Sequence, residues 1–299
     1  MSVTVAIVNP AAGGGTCRKK APEALDQIRS SGRELEVLET TNVGDATTFA
    51  EDAFRRGIRS FIAVGGDGTS CEIINGFLPL SLEQNSSCTL GFLPLGTGNS
   101  FLRDFTVDGE KEAIQALLEN RIRPCDVNAL HHEKGTFYSM NILSMGFTAR
   151  VGATTNRRFK AFGEAGYILG VLSTLVSLGA DRFALTVDGE EEAPLDLTLL
   201  SLNNSRFTGG KMEMAPDAST ADGFCDMIEV GELGRIRLLQ IFPKIFKGTH
   251  TSTPEVRSRK VKEIIFREPR PMDVMADGEV IRLVPHRLEV CPRALQVNI

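Results

Sequence analysis

Residues 60–72 decide the fold, and they read Ser-Phe-Ile-Ala-Val-Gly-Gly-Asp-Gly-Thr-Ser-Cys-Glu. The first five residues are largely apolar, which is typical of a strand buried in a sheet. Glycines then interrupt the strand. The spacing of Thr69 and Glu72 matches a capping box, which predicts that a helix begins there. A strand that runs through a glycine loop into a helix is the start of a βαβ unit.

The first 125 residues repeat this alternation of strand and helix. Strands are predicted at residues 3–8, 34–39, 60–64 and 89–93, and helices at residues 18–30, from Asp45, from Thr69 and at residues 108–119. Strands that alternate with helices imply parallel pairing, with helices packed on the sheet. We therefore expect an N-terminal Rossmann-like three-layer α/β domain with a mostly parallel sheet over residues 1–125.

From about Pro124 the pattern changes, because strand-like runs now follow one another. These runs cover residues 137–146, 183–187, 195–202, 224–230, 261–266, 273–275 and 280–284. They predict an antiparallel β-sandwich-like domain over residues 126–299, with a longer helix at residues 159–177. Residues 290–299 are expected to pack back on the first domain.

Composition and charge exclude several classes of protein. The chain has 299 residues, of which 42% are hydrophobic and 24% charged, and its net charge of −5 does not favour a nucleic-acid partner. Its six cysteines are scattered without a C-x-x-C pair, which indicates a reducing compartment, so we expect a cytoplasmic protein. No stretch approaches the roughly 18 apolar residues that span a bilayer. The N-terminus lacks the basic region of a signal peptide.

Three glycine loops each follow a predicted strand and precede a predicted helix. They are Asn9-Pro-Ala-Ala-Gly-Gly-Gly15, Gly65-Gly-Asp-Gly-Thr69 and Gly96-Thr-Gly-Asn99. In an open parallel sheet, ligands bind beyond the carboxyl ends of the strands, and helix N-termini offer N–H groups to phosphate oxygens. One such loop could be no more than a tight turn, whereas three in equivalent places indicate phosphate binding. Neither the P-loop pattern nor the dinucleotide fingerprint is present.

Four motifs resemble signatures of the diacylglycerol kinase catalytic family, which includes sphingosine kinases, ceramide kinases and the bacterial YegS-like lipid kinases. They are Gly65-Gly-Asp-Gly-Thr69, Pro94-Leu-Gly-Thr-Gly-Asn99, Asp222-Gly223 and Asp277-Gly-Glu279. Gly-Gly-Asp-Gly-Thr alone also occurs in NAD kinases and phosphofructokinases, but the combination is specific. The matches extend from residue 5 to about residue 280. Ser100 stands where the family usually has an aspartate, which leaves the role of that aspartate open.

The resemblance implies the NAD kinase/diacylglycerol kinase-like fold, with ATP bound between the two domains. The residues expected to bind the nucleotide are Asn9, Thr41, Gly65, Gly66, Gly68, Thr69, Glu72, Gly96, Thr97, Gly98 and Asn99. Glu72 has an alternative role, which is to close the capping box with Thr69. Mg²⁺ is expected with ATP, because phosphoryl transfer needs a cation to neutralise the phosphate charge.

Three carboxylates are candidates for the chemistry itself, since transfer to an alcohol needs a group that takes the hydroxyl proton. By the resemblance, Asp277 is the general base and Glu279 helps to hold Mg²⁺. Asp67 has three possible roles. It places a negative charge beside the metal or the phosphates, or it takes the proton itself as in some members of the family. The third possibility is a structural hydrogen bond within its turn. A second Asp-Gly-Glu triplet begins at Asp188. An acidic, exposed connection follows it, so we interpret it as a structural hairpin turn.

The loop over residues 215–224 is a candidate cation site. In bacterial members of the resembled family an equivalent loop holds a structural Mg²⁺. Asp222 is then the side-chain ligand, with backbone carbonyls near Ser219 and Phe224, since a hard cation prefers oxygen ligands. The alternative is a solvated turn without an ion.

Two features concern the acceptor and the membrane. The segment 244–262 is basic in a chain that is negative overall, because it has six lysines and arginines and one acidic residue, Glu255. The basic residues are Lys244, Lys247, Arg257, Arg259, Lys260 and Lys262. They form either a patch for an anionic lipid surface or scattered solvated charges. The predicted helix at residues 159–177 is apolar nearly all round, which fits core packing or the wall of a lipid-chain pocket.

Together these features predict an ATP-dependent lipid kinase that phosphorylates a hydroxyl of diacylglycerol or a related lipid alcohol. The expected location is cytoplasmic with peripheral contact to a membrane surface, and a homodimer is left open. Two alternatives remain: a kinase of a soluble substrate such as NAD on the same fold, and a non-catalytic nucleotide or lipid sensor.

Overall fold

The structure, a computed structural model, describes residues 3–107, 109–158, 169–171 and 173–299, with the backbone alone for residues 155–158. The chain divides into two compact units. One is Met1–Cys125 together with Arg293–Ile299, and the other is Asp126–Pro292. Residues 169–171 and 173–174 of the predicted long helix are helical, and Val171 is buried, whereas residues 159–168 and 172 lie outside the described residues.

The first unit alternates strand and helix. Its elements are β1 (Thr4–Val8), α1 (Thr16–Ser30), β2 (Leu35–Glu39), α2 (Asp45–Arg55), β3 (Ser60–Gly65), α3 (Asp67–Glu83), β4 (Thr89–Pro94) and α4 (Glu110–Glu119). The strands pair in parallel in the order β2-β1-β3-β4, and residues Gln296–Asn298 add a further parallel strand beside β4.

Helices cover both faces of this parallel sheet. Strand residues such as Ala6 and Ile62 share a buried cluster with α1 and α4. Their neighbours along the strands point the other way, and there the Phe61 ring stacks on Phe77 of α3 with centroids 4.7 Å apart. The three-layer α/β architecture is therefore confirmed.

The helix after the second glycine loop begins earlier than predicted. α3 begins at Asp67 after the N-cap Gly66, so Thr69 is not a cap and the capping box with Glu72 is wrong. The turn is tighter than predicted, because the glycines let the strand enter the helix without an intervening loop. α2 has Gly44 as its N-cap and begins at Asp45, as predicted.

The described part of the second unit is rich in strands. They are β6 (Gly135–Ser139), β7 (Ile142–Gly146), β8 (Asp181–Phe183), β9 (Leu185–Val187), β10 (Glu190–Glu191), β11 (Leu195–Asn203), β12 (Phe207–Thr208), β13 (Met212–Glu213), β14 (Cys225–Gly231), β15 (Val256–Val261), β16 (Glu263–Phe266), β17 (Met272–Ala276) and β18 (Glu279–Leu283). Its helices include α5 (Phe147–Arg158) and α6 (Arg235–Ile241), residues 169–171 and 173–174 are also helical, and short 3₁₀ turns lie at Leu175–Ser177, Phe242–Lys247 and Thr249–Ser252. Two long strands, β5 (Ile122–His132) and β19 (Pro285–Asn298), carry the chain across the unit boundaries.

Two antiparallel layers form the sandwich of this unit. One has the strand order β15-β14-β11-β7-β17-β18, and the other joins β10, β9, β16 and β19. Buried side chains from both layers, including Leu143, Leu200, Ile264 and Leu288, share one cluster. The predicted antiparallel β-sandwich-like architecture is therefore confirmed.

Three runs predicted as single strands are each two strands in different layers. Residues 137–146 divide into β6, which pairs with β5, and β7, which pairs with β11. Residues 183–187 divide between β8 and β9 in the same way, and residues 261–266 lie at the junction of β15 and β16. The chain changes layer at these points, which a run of apolar residues does not reveal.

Candidate active site

The three glycine loops of the first unit come together at one edge of its sheet. Because β1, β3 and β4 are parallel, their carboxyl ends share that edge. The Asn9 side-chain amide donates to the Thr69 hydroxyl over 3.3 Å, which links the first loop to the second. The N–H of Gly96 donates to the carbonyl of Gly65 over 2.8 Å, which links the third loop to the second.

Glycine is required where these loops touch, because backbone packs directly on backbone. A Cβ on Gly96 would lie 2.4 Å from the Cα of Gly66. At Gly13, which has a φ of +60°, a Cβ would lie 2.5 Å from the carbonyl oxygen of Leu95. Side chains at these positions would therefore push the loops apart.

The loop before α1 presents its backbone to open space. Gly13, Gly14 and Gly15 all have positive φ, and no atom lies within 4 Å of where a Cβ on Gly14 or Gly15 would be. The N–H of Gly15 donates to the carbonyl of Ala11 over 3.2 Å, so that group is engaged within the loop. The loop therefore has space beside Gly14 and Gly15 for a phosphate group.

Asp67 lies at the start of α3 and points at the third loop. Its carboxylate accepts a hydrogen bond of 2.8 Å from the N–H of Ser100. Part of the residue remains accessible, but desolvation of the carboxyl group raises its pKa, while the N–H groups of Ser100 and Phe101 act to lower it. The Ser100 hydroxyl also acts to lower the pKa, so the residue that departs from the family pattern holds Asp67 in place.

Four further predicted nucleotide residues lie in the second and third loops, and one of them, Gly98, stands beside Asp67, since a Cβ there would lie 3.6 Å from its Oδ2. Gly68 lies in the first turn of α3, and Thr97 is exposed at the tip of the third loop. Asn99 has a φ of +45°, and its side-chain amide donates to the carbonyls of Pro94 and Gly96. It therefore stabilises the loop in which it stands.

Thr41 and Glu72 are both held by the loop that precedes α2. The N–H and hydroxyl of Thr41 donate to the Asp45 carboxylate over 2.8 and 2.9 Å. Backbone hydrogen bonds from Thr41 and Asn42 keep the pKa of Asp45 below its usual value. The Glu72 carboxylate accepts from the N–H of Gly44 over 3.1 Å, so α3 positions the loop that carries Thr41.

In the second unit, Asp277 lies in the two-residue turn between β17 and β18. Its Oδ1 accepts from the N–H of Ile142 over 3.2 Å, and the Ser139 hydroxyl donates to Oδ2 over 3.5 Å. Asp277 is half-buried, whereas Glu279 at the start of β18 is exposed. The turn thus fixes the orientation of one carboxylate and leaves the next accessible to solvent.

A buried polar cluster that the sequence analysis missed lies behind Asp277. The N–H of Asn141 donates to the Ser139 hydroxyl, and the Ser205 hydroxyl donates to the Asn141 side chain. Asn204 donates to the carbonyls of Met140 and Asp126 over 2.8 Å each. The sequence signal was the run Asn203-Asn204-Ser205 directly after an apolar strand.

The loop over residues 215–224 is attached to that cluster through Asp126. The completely buried Asp126 carboxylate accepts from the N–H of Gly223 over 2.6 Å. Asp222 accepts from the N–H of Phe224 through Oδ1 and from the Lys260 ammonium through Oδ2. Ser219 is exposed in the same loop.

The predicted basic patch is divided by its ion pairs. Arg259 pairs with Glu192 and Glu229, and Lys260 pairs with Asp222. Arg257 also lies 3.7 Å from Glu229. Lys244 and Lys247 are exposed on a separate 3₁₀ turn.

An α/β unit with a glycine cradle, followed by an antiparallel sandwich, defines the two-domain fold shared by diacylglycerol kinases and NADH kinase. A crystal structure of a diacylglycerol kinase from Bacillus anthracis superposes with a TM-score of 0.70 at 21% identity, covering 99% of this chain and 96% of that one. Yeast NADH kinase complexed with NADH gives a TM-score of 0.54 at 12% identity, covering 99% of this chain and 82% of that one. At these identities the likeness shows the fold.

The sequence comparisons show the family. Residues 3–130 match the diacylglycerol kinase catalytic domain, and residues 141–299 match the YegS C-terminal NAD kinase beta sandwich-like domain. A diacylglycerol kinase of Mycobacterium tuberculosis is 29% identical over 98% of this chain and 93% of its own length, and one of Bacillus subtilis is 28% identical over 93% and 90%. The chain belongs to the diacylglycerol kinase catalytic family, with a C-terminal domain of the YegS type.

A helix that crosses a bilayer must be both long and apolar. Within residues 3–107, 109–158, 169–171 and 173–299, no helix is both long enough and apolar enough to cross a membrane.

Proposed function

We propose that this chain transfers the γ-phosphoryl group of ATP to a hydroxyl of diacylglycerol or a related lipid alcohol. The observation that carries the proposal is the cradle of three glycine loops, in which Gly66 and Gly96 pack backbone on backbone beside Asp67. Such a cradle offers N–H groups to phosphate oxygens without side chains in the way. Family membership supports a kinase, and the relatives named above are diacylglycerol kinases.

The reaction assigns a separate task to each carboxylate. The acceptor hydroxyl attacks the γ-phosphorus, the bond to the β-phosphate oxygen breaks, and ADP leaves. Asp277 takes the hydroxyl proton, and its bonds from Ile142 and Ser139 orient it for that task. Asp67 and Glu279 provide carboxylate oxygens of the kind that Mg²⁺ prefers. Mg²⁺, when bound, neutralises negative charge on the phosphates.

We further propose that an anionic membrane surface presents the lipid. The segment 235–247 carries four exposed apolar side chains at steps of three and four residues, whereas Leu238, Ile241 and Ile245 between them are buried. The four exposed apolar residues, named here the outer stripe, are Ile236, Leu239, Pro243 and Phe246.

The outer stripe has the chemistry of a surface that inserts into a bilayer interface. Ile236 is 76% exposed, and Leu239 and Phe246 are each 43% exposed. Lys244 and Lys247 lie in the same segment, where each can gain about 1 kcal/mol near anionic lipid. The apolar side chains can insert at the boundary of the acyl chains, while the lysine ammonium groups stay beside the anionic headgroups.

The function is tested by transfer of labelled γ-phosphate from Mg·ATP to a total lipid extract in mixed micelles, resolved by chromatography and mass spectrometry. A labelled lipid is expected, and its mass identifies the acceptor. Parallel reactions with NAD and no lipid test for a soluble acceptor. Labelled NADP would replace the proposal with an NAD kinase-like activity. Normal ATP binding with no labelled product would replace it with a sensor.

Membrane contact is tested separately by sedimentation with vesicles rich in phosphatidylglycerol. Aspartate at Ile236, Leu239 and Phe246 should abolish binding. The matched control places aspartate at three similarly exposed apolar residues of the first unit, Leu82, Leu118 and Ile122. If both triple variants bind as the unaltered chain does, the outer stripe is not the membrane surface.

A further inference from the structure

Lys260 lies directly opposite Asp226 on neighbouring strands. β14 and β15 pair antiparallel with Asp226 in register with Lys260, so both side chains stand on the same face of the sheet. The side chain of Lys260 extends from there to the loop over residues 215–224. This position places its ammonium group at the loop for which the sequence predicted a cation.

The ammonium group meets three oxygen atoms. Its Nζ lies 2.6 Å from Oδ2 of Asp222, 3.3 Å from Oδ2 of Asp226 and 3.3 Å from the carbonyl oxygen of Asp217. A lysine has three N–H donors and no acceptor, so three oxygen partners use its hydrogen-bonding capacity fully.

The loop needs a positive charge at this point. Asp226 is only 2% exposed, and a buried carboxylate is costly unless it is paired. Burial raises the pKa of Asp226, and the negative charges of the nearby Asp222 and Asp217 act in the same direction. A bound divalent cation or a fixed ammonium group could satisfy this need.

The donor set does not fit a metal ion while Lys260 is in place. Oδ1 of Asp222 is engaged by the N–H of Phe224, and Oδ2 is engaged by Lys260. A divalent cation bound to Asp222 would sit beside the ammonium group and be repelled by it. The loop is also held from its buried side by Asp126, through the N–H of Gly223 and the carbonyl of Thr220.

We infer that the Lys260 ammonium is a built-in cation that holds the 215–224 loop in place of a metal ion. The loop therefore folds without Mg²⁺, whatever acceptor the chain phosphorylates. Any Mg²⁺ requirement of the reaction then belongs to the nucleotide and not to this loop.

The test is thermal unfolding without nucleotide, in EDTA and in millimolar MgCl₂ or CaCl₂. The unaltered chain should melt at the same temperature in all three. Lys260→Met keeps the aliphatic stem and removes the charge, so its Tm in EDTA should fall by about 5 °C or more. Added Mg²⁺ or Ca²⁺ should raise the Tm of Lys260→Met part of the way back. The double variant Lys260→Met, Asp222→Asn should show no such rise.

Two further variants make the result specific. Lys260→Arg retains the charge and should melt close to the unaltered chain even if Lys260→Met fails to fold. Lys20→Met removes a comparable surface pair, with Glu110 at 3.1 Å, and should shift Tm little and without metal dependence. The inference is overturned if Mg²⁺ raises the Tm of the unaltered chain and Asp222→Asn removes that rise. It is also overturned if Lys260→Met in EDTA melts at the temperature of the unaltered chain.

Discussion

Two hairpins of the second unit carry the same three residues, Asp-Gly-Glu, in the same backbone conformation. Asp188 and Asp277 both have a φ of +49°, and the glycines that follow have φ values of +85° and +92°. Each turn joins adjacent antiparallel strands, β9 to β10 and β17 to β18. Positive φ at both central residues is what a type I′ turn requires, and Asp-Gly satisfies it.

The two aspartates differ in what their carboxylates contact. Asp188 is exposed, and its Oδ1 accepts from the N–H groups of Lys262 and Glu263 over 2.8 Å each. It therefore fixes the link between β15 and β16. Asp277 is half-buried and meets the N–H of Ile142 and the hydroxyl of Ser139 over longer distances. The turn sequence determines the backbone, but the neighbouring segment determines the chemistry available to the carboxylate.

The largest difference is expected from Asp277→Asn and Asp188→Asn compared in the lipid kinase assay. An asparagine at 277 still accepts from Ile142 but cannot take a proton, so kcat should fall by about 10²–10⁴-fold. An asparagine at 188 still accepts from Lys262 and Glu263, so the rate should stay unchanged.

Stability is the control for this pair. The free energy of unfolding of both variants should lie within about 1 kcal/mol of that of the unaltered chain, because asparagine keeps the shape of the aspartate side chain and one acceptor oxygen. A similar loss of activity in both variants would remove the distinction between the two turns. Full activity of Asp277→Asn would shift the proton-accepting role to Asp67.

A smaller effect on the kinase rate is expected when Glu279→Gln is compared with Glu190→Gln. If Glu279 helps to hold Mg²⁺, its variant should lose about tenfold in activity at limiting Mg²⁺ and regain it when Mg²⁺ is raised. Glu190 is exposed on the short strand β10, and its variant should behave as the unaltered chain at every Mg²⁺ concentration. A loss at Glu279 that excess Mg²⁺ does not repair would indicate a different role.

The fold was predictable from sequence where local pattern determines it. The four strands and the glycine loops of the first unit follow from apolar runs and breaks, as at Ser60–Gly65. The long strands β5 and β19 were missed, because both include prolines and charged residues. The layer changes near Met140 and Lys262 were missed because a run of apolar residues does not reveal where the chain leaves one sheet for the other.

The candidate site was predictable as a set of residues but not as a set of contacts. The motifs placed Asp277 in a turn, as the structure does, whereas Asp67, expected in a turn, is the first residue of α3. They did not show that Glu72 accepts a hydrogen bond from the N–H of Gly44, 28 positions away in the chain. Nor did they show that Lys260 pairs with Asp222, 38 positions away. Such contacts depend on strand register and on which helix packs beside which loop, and neither is encoded in a local motif.

The smallest effect is expected from alanine at the two turn glycines, Gly278 and Gly189. Neither position has an atom within 4 Å of where a Cβ would be, so the cost is conformational alone. An L-residue at such φ costs about 1–2 kcal/mol, and the two variants should therefore lose similar stability in thermal unfolding. Only Gly278→Ala should also lower the kinase rate, by less than Asp277→Asn, since it shifts a carboxylate that must meet a hydroxyl. Equal rates in the two alanine variants would mean that the position of Asp277 tolerates movement, which a proton acceptor at this site should not.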